Sequence, residues 1–253
     1  MTGAFKYRSV ARTHQGLVRS YNEDSYFERP DLGLWAVADG MGGLTSGDVA
    51  SQSVVRTLAL ITRQDSGAGF VAEIKARLAD ANAELQALAA SRHTPTPIGS
   101  TVAGLLVFAD HFACFWAGDS RVYRLRRGDL DRLTRDHSLV QDIVDSGLLA
   151  PDRVESHPHA SVIQRAVGVE EKLELEFTHA RIEPGDLFLL CSDGLTRMVS
   201  DEELELELGR LPLEQACDVL IATVLERGAK DNVTIVLVMC LEGDASQQGN
   251  RHV

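Results

Sequence analysis

The sequence predicts a domain of mixed α and β structure, and three observations support this. The chain of 253 residues is 44% hydrophobic, which is enough apolar material for one large core. Several short apolar runs have the length of strands, and stretches of helical period lie between them. No linker rich in Pro, Gly or Ser divides the chain. We therefore expect residues 1–241 to form a single domain and residues 242–253 to form a disordered tail.

The strands are predicted from apolar runs that are too short for buried helices. They cover residues 34–38, 102–109, 112–117, 187–191 and 233–241. Strands that alternate with helices fit a parallel α/β sheet as readily as antiparallel sheets. The pattern alone therefore leaves the arrangement of the sheet open.

The helices are predicted from apolar residues that recur on one side of a helix. This period covers residues 49–62, 70–90 and 213–227. A further helix is expected to begin at Ser200, because Ser200 and Glu203 have the spacing of a capping box. The residues after Glu203 also alternate with the period of a strand, so a strand is the alternative there.

One long segment, residues 136–163, is more polar than its neighbours and contains Pro151 and Pro158. It lies between predicted strands, where long connections often serve as lids over a site. An ordinary surface connection is the alternative interpretation.

The charge of the chain argues against nucleic acid as a partner. Acidic residues outnumber basic ones by 37 to 25, which gives a formal net charge of −12. Binding to a phosphate backbone depends on clustered Lys and Arg, and the balance here is the opposite.

The cysteines and the apolar runs indicate a cytoplasmic setting. Cys114, Cys191, Cys217 and Cys240 are far apart and form no Cys-x-x-Cys motif, so we expect reduced thiols. The longest apolar run, residues 233–241, is too short to span a bilayer, and the N-terminus has no apolar signal region. We expect a cytoplasmic monomer with no membrane anchor.

Four aspartates lie at the ends of predicted strands. Asp39, Asp119 and Asp193 each follow an apolar run, and Asp231 precedes one. A single Asp-Gly pair is also a common turn signal, so each position alone is explained as well by a turn. An ionised carboxylate near a core is costly without a cation, and a set of carboxylates without His or Cys is typical of Mg²⁺ or Mn²⁺. Together the four predict a metal site.

A cation stands close to two further carboxylates near the N-terminus, where Arg19 precedes Glu23 and Asp24. Alone this would be a solvated charge cluster. Beside a metal site, the planar guanidinium of Arg19 becomes a candidate clamp for two phosphate oxygens.

The ordered combination of short motifs resembles bacterial protein phosphatases of the 2C type over about residues 8–240. The motifs are Gly16-x-Val18-Arg19-x-x-Asn22-Glu23-Asp24, Asp39-Gly40-Met41-Gly42-Gly43, Gly99-Ser100-Thr101, Gly118-Asp119-Ser120-Arg121-x-Tyr123, Asp136-His137-Ser138, His157-Pro158, Arg165-Ala166-x-Gly168, Ser192-Asp193-Gly194-Leu195 and Asp231-Asn232-x-Thr234. The resemblance implies an α+β fold in which a central antiparallel β-sandwich of two sheets is flanked by helices on both outer faces (αββα). It also implies metal-dependent hydrolysis of phosphoserine and phosphothreonine in proteins, in opposition to a bacterial Ser/Thr kinase.

The resemblance also implies roles at a centre of two Mn²⁺ or Mg²⁺ ions. Asp39 would bridge the ions, Asp193 and Asp231 would complete one of them, and the carbonyl of Gly40 would help the other. Such a centre lowers the pKa of a water and neutralises the phosphoryl group. Arg19 and Asp39 are the expected catalytic residues.

The remaining ligands follow from the same resemblance. Glu23 and Asp24 would act mostly through metal-bound water, and Arg19 would hold the substrate phosphate. Asp119, with Asp193, would hold a third and weaker ion.

One position departs from some relatives, which carry a histidine directly after the Asp-Gly pair where this chain has Met41. A thioether cannot donate a proton to the leaving oxygen. His137 and His157 are candidate acids, although a structural or surface role is the simpler interpretation of each.

Two alternatives remain open. A binding-only relative would dock phosphorylated partners without turnover, but it would not need the complete set of carboxylates with Arg19. The other alternative is an enzyme that acts on a small phosphate ester or a nucleotide. A nucleotide is disfavoured because the chain lacks the Walker and dinucleotide motifs that are typical of nucleotide-binding sites.

Overall fold

The computed structural model describes residues 5–42, 46–92, 97–150, 153, 157–159 and 162–243. The described strands are β1 (Phe5–His14), β2 (Asp24–Arg29), β3 (Leu34–Met41), β4 (Gly99–Ser100), β5 (Val102–Phe108), β6 (His111–Ala117), β7 (Arg121–Arg126), β8 (Asp129–Arg132), β9 (Glu176–Arg181), β10 (Leu187–Cys191) and β11 (Val233–Glu242). The described helices are α1 (Gly47–Ala59), α2 (Gly67–Ala90), α3 (Leu139–Asp145), α4 (Asp193–Thr196), α5 (Asp201–Arg210) and α6 (Leu213–Glu226).

The strands form two sheets. One has the order β1-β11-β10-β7-β8, and the other has the order β2-β3-β5-β6-β9 with β4 paired to β3. The pairings are antiparallel in both sheets, which excludes the parallel arrangement that the pattern had left open. Helices cover the outer face of each sheet, so the expected αββα sandwich is confirmed.

The central strands are apolar on both sides because each lies between two hydrophobic layers. In β3, Leu34 and Ala36 pack in the cluster under α1 and α2, while Trp35 and Val37 pack between the sheets. Side chains alternate along a strand, so a strand buried on both faces appears in the sequence as a continuous apolar run. All five strands predicted from such runs are present.

The predicted helices are present as α1, α2, α5 and α6, with boundaries that differ by a few residues. The alternative of a strand after Ser200 is wrong, because α5 begins there with both bonds of the capping box. The N–H of Glu203 donates to Ser200 Oγ at 3.3 Å, and the N–H of Ser200 donates to Glu203 Oε2 at 3.0 Å. The local capping signal therefore prevails over the alternating pattern.

Two sequence predictions fall partly outside the described residues. The candidate lid, residues 136–163, contains α3, which Ser138 caps through its hydroxyl. Residues 151–152, 154–156 and 160–161 of that segment lie outside the description. So do residues 244–253 of the predicted tail, while β11 extends through Glu242.

Two further predictions concern thiols and membranes. Each of the four cysteines is buried and unpaired, and each packs as a small apolar side chain. Among the described helices, none combines the length and the apolar character needed to cross a bilayer.

Candidate metal centre

The carboxylates named from the sequence lie at one end of the sandwich, where strands of both sheets end. Asp24 begins β2 and is paired with Asp39 of β3 in the antiparallel register. Asp193 begins α4 directly beyond β10, and Asp231 lies just before β11 of the same sheet. Asp119 lies in the connection from β6 to β7, which crosses from one sheet to the other. The antiparallel order thus gathers residues that are far apart in the sequence.

Several of these carboxylates are buried with oxygen atoms that lack partners. Asp24, Asp119 and Asp193 are only 7%, 5% and 9% exposed. In each, Oδ1 has no hydrogen-bond partner among the described residues. A buried polar atom without a partner costs free energy, and an unpaired charge costs much more. The cluster therefore needs cations.

The carboxylates also raise one another's pKa. Burial raises the pKa of Asp39 well above its usual value, and the charges of the other four aspartates raise it further. Burial, opposed by the hydroxyls that bond it, raises the pKa of Asp24 to about 7. Burial and then the charge of Asp193 raise the pKa of Asp119 to about 8. Mutual repulsion of this kind is typical of a site built for positive charge.

The donor set fits Mg²⁺ or Mn²⁺. It consists of carboxylate oxygens together with the carbonyl of Gly40, and hard oxygen ligands are those that these cations prefer. Gly40 lines the cleft, and a Cβ at that position would stand 1.8 Å from the carbonyl oxygen of Gly47. Only glycine therefore permits this approach of the backbone. Glu23 also lines the cleft, and its Oε1 accepts the N–H of Gly47 at 3.0 Å.

Two arginines hold carboxylates of the cluster. Nη2 of Arg19 lies 2.8 Å from Oδ2 of Asp231. Nη2 of Arg197 lies 2.5 Å from Oδ2 of Asp193 and 3.8 Å from Oδ2 of Asp119. Among the described residues, no three His, Cys, Asp or Glu side chains are arranged so that together they could hold a metal ion. This agrees with the ion pairs, because the arginines occupy one oxygen each of Asp193 and Asp231. The partnerless Oδ1 atoms remain as the candidate ligand atoms.

Buried polar side chains fix the cluster from behind. Ser192 Oγ donates to Asp24 Oδ2 at 2.7 Å and accepts the N–H of Thr234 at 3.0 Å. Oδ1 of Asn232 accepts the N–H of Glu23 at 2.8 Å. Nδ2 of Asn232 donates to the carbonyls of Gln15 and Tyr21. These residues position Asp24 and Glu23, and the bond from Ser192 to Asp24 joins the two sheets.

Four carboxylates, those of Glu23, Asp39, Asp193 and Asp231, line a cleft of about 640 Å³. Its lining includes Val18, Arg19, Tyr21, Glu23, Asp39, Gly40, Met41, Asp193, Arg197, Asp231 and Asn232. Arg19 is half exposed there, which leaves its guanidinium accessible to a substrate. The cleft therefore places a cationic fork beside a cluster of carboxylates.

Neither His137 nor His157 is among the described residues that line the cleft. His137 is buried, its Nδ1 accepts the N–H of Gly118 at 3.2 Å, and its Nε2 lies 3.1 Å from Glu176 Oε1. It stacks on Trp116, and burial lowers its pKa. His157 Nδ1 accepts the N–H of His159. The structural interpretation of both is favoured over an acid role.

A family comparison agrees with this geometry. The sequence profile described as Protein phosphatase 2C matches residues 14–238. The chain belongs to the protein phosphatase 2C family. The expected family resemblance is thus confirmed over most of the chain.

Individual relatives extend the match. The serine/threonine protein phosphatase PstP of Mycobacterium tuberculosis is 37% identical over 241 residues, which are 95% of this chain and 46% of PstP. The chain therefore spans about half the length of that curated relative.

Two solved structures are similar in both sequence and fold. PppA of Pseudomonas aeruginosa, described as a key regulatory component of T6SS, has 41% identity and a TM-score of 0.86, with 93% of this chain and 98% of that chain covered. The catalytic domain of PstP in complex with two manganese ions has 34% identity and a TM-score of 0.85. That match covers 94% of this chain and 99% of the catalytic domain.

Arg197, the second cation of the cleft, was not predicted from the sequence, and other residues of the site were predicted without a role. Arg197 follows Asp193 by four residues, a spacing that joins side chains on a helical turn and could have revealed it. Ser192 and Asn232 appeared only as parts of motifs. Their positioning role depends on contacts between distant parts of the chain.

Proposed function

We propose that this chain is a metal-dependent protein phosphatase that hydrolyses phosphoserine and phosphothreonine in proteins. One observation carries the proposal: Asp39, Asp193 and Asp231 line one cleft with Arg19 in a phosphatase 2C chain, and the buried Oδ1 of Asp193 has no partner among the described residues. The PstP catalytic domain, which the chain matches over 94% of its own length, binds two manganese ions.

We assign metal binding to the carboxylates of the cleft and phosphate binding to Arg19. Asp39, Asp193 and Asp231, with Gly40 and with Glu23 and Asp24 behind them, would hold two Mn²⁺ or Mg²⁺ ions. When bound, these ions lower the pKa of a water and neutralise the phosphoryl charge.

Arg19 orients the phosphoryl group, because its fork matches two phosphate oxygens. Asp231 holds that fork at the edge of the cleft until the substrate arrives. Met41 lines the cleft but carries no proton, so the leaving oxygen must take its proton from another source.

Phosphorylated proteins and a cognate bacterial Ser/Thr kinase are the partners that this activity requires. We also propose that the chain acts as one catalytic domain, residues 1–241, that it is a monomer, and that it works in the cytoplasm. PppA, to which the chain is 41% identical, is described as a key regulatory component of T6SS. Phosphorylated proteins of such a system are therefore one class of substrate to assay first.

The test is the initial rate on a phosphothreonine peptide while Mn²⁺ is titrated from a fully chelated start. We expect no activity under chelation and a rise to a plateau with added Mn²⁺. Asp39→Asn should abolish the rise, whereas Asp218→Asn, on the exposed face of α6, should preserve it. No turnover at any Mn²⁺ or Mg²⁺ concentration would favour the binding-only alternative, and faster hydrolysis of free nucleotides would change the substrate class.

A further inference from the structure

Arg197 is a cation supplied by the protein itself at one end of the carboxylate cluster. Its Nη2 contacts Asp193 Oδ2 at 2.5 Å and faces Asp119 Oδ2 at 3.8 Å. The two carboxylates are nearly buried, with side chains 12% and 7% exposed, and Arg197 is 34% exposed. The arginine thus closes the cleft side of a buried acidic pair.

The backbone fixes the arginine to the same turn as one of its partners. Asp193 begins α4, and the N–H of Arg197 donates to the carbonyl of Asp193 at 2.9 Å. Leu195 and Val199 anchor this turn in the core beneath α6. Because the turn is already ordered, the ion pair costs little additional conformational entropy. The guanidinium is also charged at every accessible pH.

The two arginines of the cleft differ in a way that separates their roles. Arg19 is 50% exposed and, among the described residues, forms an ion pair with Asp231 alone, while the charges of Glu23 and Asp39 act on it from farther away. Arg197 is less exposed and faces two carboxylates. A half-exposed fork with one partner suits a mobile substrate, whereas a charge held between two buried carboxylates suits a permanent counter-ion.

We propose that Arg197 is the fixed counter-ion of the Asp119–Asp193 pair, so that this chain loads two metal ions and no tightly bound third one. The inference rests on the proposed function for the two-ion centre. It replaces the third, weaker ion that the family resemblance implied. A divalent ion between Asp119 and Asp193 would lie within a few ångströms of the guanidinium, and repulsion would weaken its binding.

The experiment counts bound Mn²⁺ by calorimetric titration of the chelator-treated protein. Wild type is compared with Arg197→Gln, which keeps a hydrogen-bond donor but loses the charge, and with Arg197→Lys, which keeps the charge. We expect two ions in wild type and in Arg197→Lys. Arg197→Gln should bind a third ion at least about tenfold more tightly than wild type does.

Arg165→Gln is the matched control. Its side chain is 36% exposed and pairs with Glu176, which is not one of the cluster's carboxylates. We expect this variant to bind two ions as wild type does. Unfolding in chelator gives a second readout, since Arg197→Gln should be less stable than wild type and should recover when Mn²⁺ is added.

Several outcomes would overturn the inference. A third ion bound equally by wild type and Arg197→Gln would do so. A raised KM for the phosphopeptide with an unchanged ion count would instead make Arg197 a phosphate ligand.

If Arg197→Gln does not fold, wild type alone decides, because a third ion within about tenfold of the first two in affinity would contradict the proposal. Failure of wild type to bind any Mn²⁺ would overturn the proposed function as well. That result is distinct from an altered ion count.

Discussion

Asp39 is held by its main chain in the sheet, while its carboxylate lines the cleft. Its N–H donates to Thr101 Oγ1 at 3.0 Å, and its carbonyl accepts the N–H of Thr101 at 2.8 Å. The main chain under the carboxylate is therefore held on both sides. Its charge, in contrast, is opposed by four neighbouring aspartates. Function and stability accordingly make opposite demands on this side chain.

Asp39→Asn should separate these demands. We expect the affinity for Mn²⁺ to fall by about 100-fold or more, and turnover to fall with it. The metal-free variant should be more stable than wild type by about 1 kcal/mol, because one of several repelling charges is removed. Calorimetric titration and urea unfolding in chelator measure the two effects. A variant that lost both metal binding and metal-free stability would show a structural role only.

Arg19 should affect substrate binding more than metal binding. Arg19→Ala should raise KM for a phosphothreonine peptide by about 10- to 100-fold, with a smaller fall in kcat, since a bidentate contact to phosphate is lost. Arg19→Lys should be intermediate, because an ammonium is a point charge. Arg8→Ala, which breaks an exposed pair with Glu214, is the control. An unchanged KM with weaker Mn²⁺ binding would mean that Arg19 acts through Asp231.

At this scale the sequence reveals residues whose chemistry is carried by a short motif. Glu23, Asp39, Asp193 and Asp231, all named from the motifs, line the cleft. Arg197 was not predicted because an arginine in a connecting segment is usually a solvated surface charge. Its role becomes visible only from the burial of its partners, Asp193 and Asp119. The positioning role of Asn232 was not predicted because Gln15 and Tyr21, which it contacts, lie more than 200 positions away in the sequence.

Among the elements, α5 shows how a local signal fixes a boundary. Its capping box is reinforced by Arg227, just after α6, which contacts both carboxylate oxygens of Glu203 at 2.8 and 2.5 Å. The bond from Arg227, and then the one from the backbone of Ser200, lower the pKa of Glu203 from 4.5 to about 2. Its charged form is thus favoured by folding.

The stability supplied by Glu203 should depend on pH in a defined direction. Because the folded pKa is lowered, the contribution is complete above the unfolded value of 4.5 and is lost as the pH falls toward about 2. Glu203→Gln should therefore be less stable than wild type at neutral pH, with a difference that shrinks across this window. Urea unfolding at a series of pH values measures it, with the exposed Glu171→Gln as control. A difference that is constant with pH would contradict the assignment.

Buried strands could be predicted from the sequence more readily than strands at the edge of a sheet. β10 is buried on both faces and is apolar throughout, so its sequence alone identifies it. β1 lies at the edge of its sheet, and its outer face carries Arg8 and Arg12, which pair with Glu214 and Asp218 of α6. Those charges obscure its alternation. The direction of the strands could not be predicted, because it depends on pairings such as that of β1 with β11 across the whole chain.

At the scale of the whole molecule, the two sheets of the sandwich meet at the carboxylate cluster. Asp24 and Asp39 belong to one sheet, and Asp193 and Asp231 lie at strand ends of the other. The bond from Ser192 to Asp24 crosses between them. Repulsion among the carboxylates opposes the approach of these strand ends, and a cation held between them would favour it. Metal binding is therefore expected to stabilise the sandwich as well as to create the active site.

Mn²⁺ should raise the melting temperature of wild type in proportion to the logarithm of its concentration above Kd. A ligand that binds only the folded state at 100 times its Kd adds about 2.7 kcal/mol to the free energy of unfolding. Unfolding separates the two sheets and disperses the carboxylates, so the unfolded chain should bind Mn²⁺ weakly. Asp39→Asn should lose most of the shift, whereas Asp218→Asn should keep it. Calorimetric scans in chelator and at increasing Mn²⁺ measure the effect. If Mn²⁺ binds but leaves the melting temperature unchanged, the ions do not connect the two sheets.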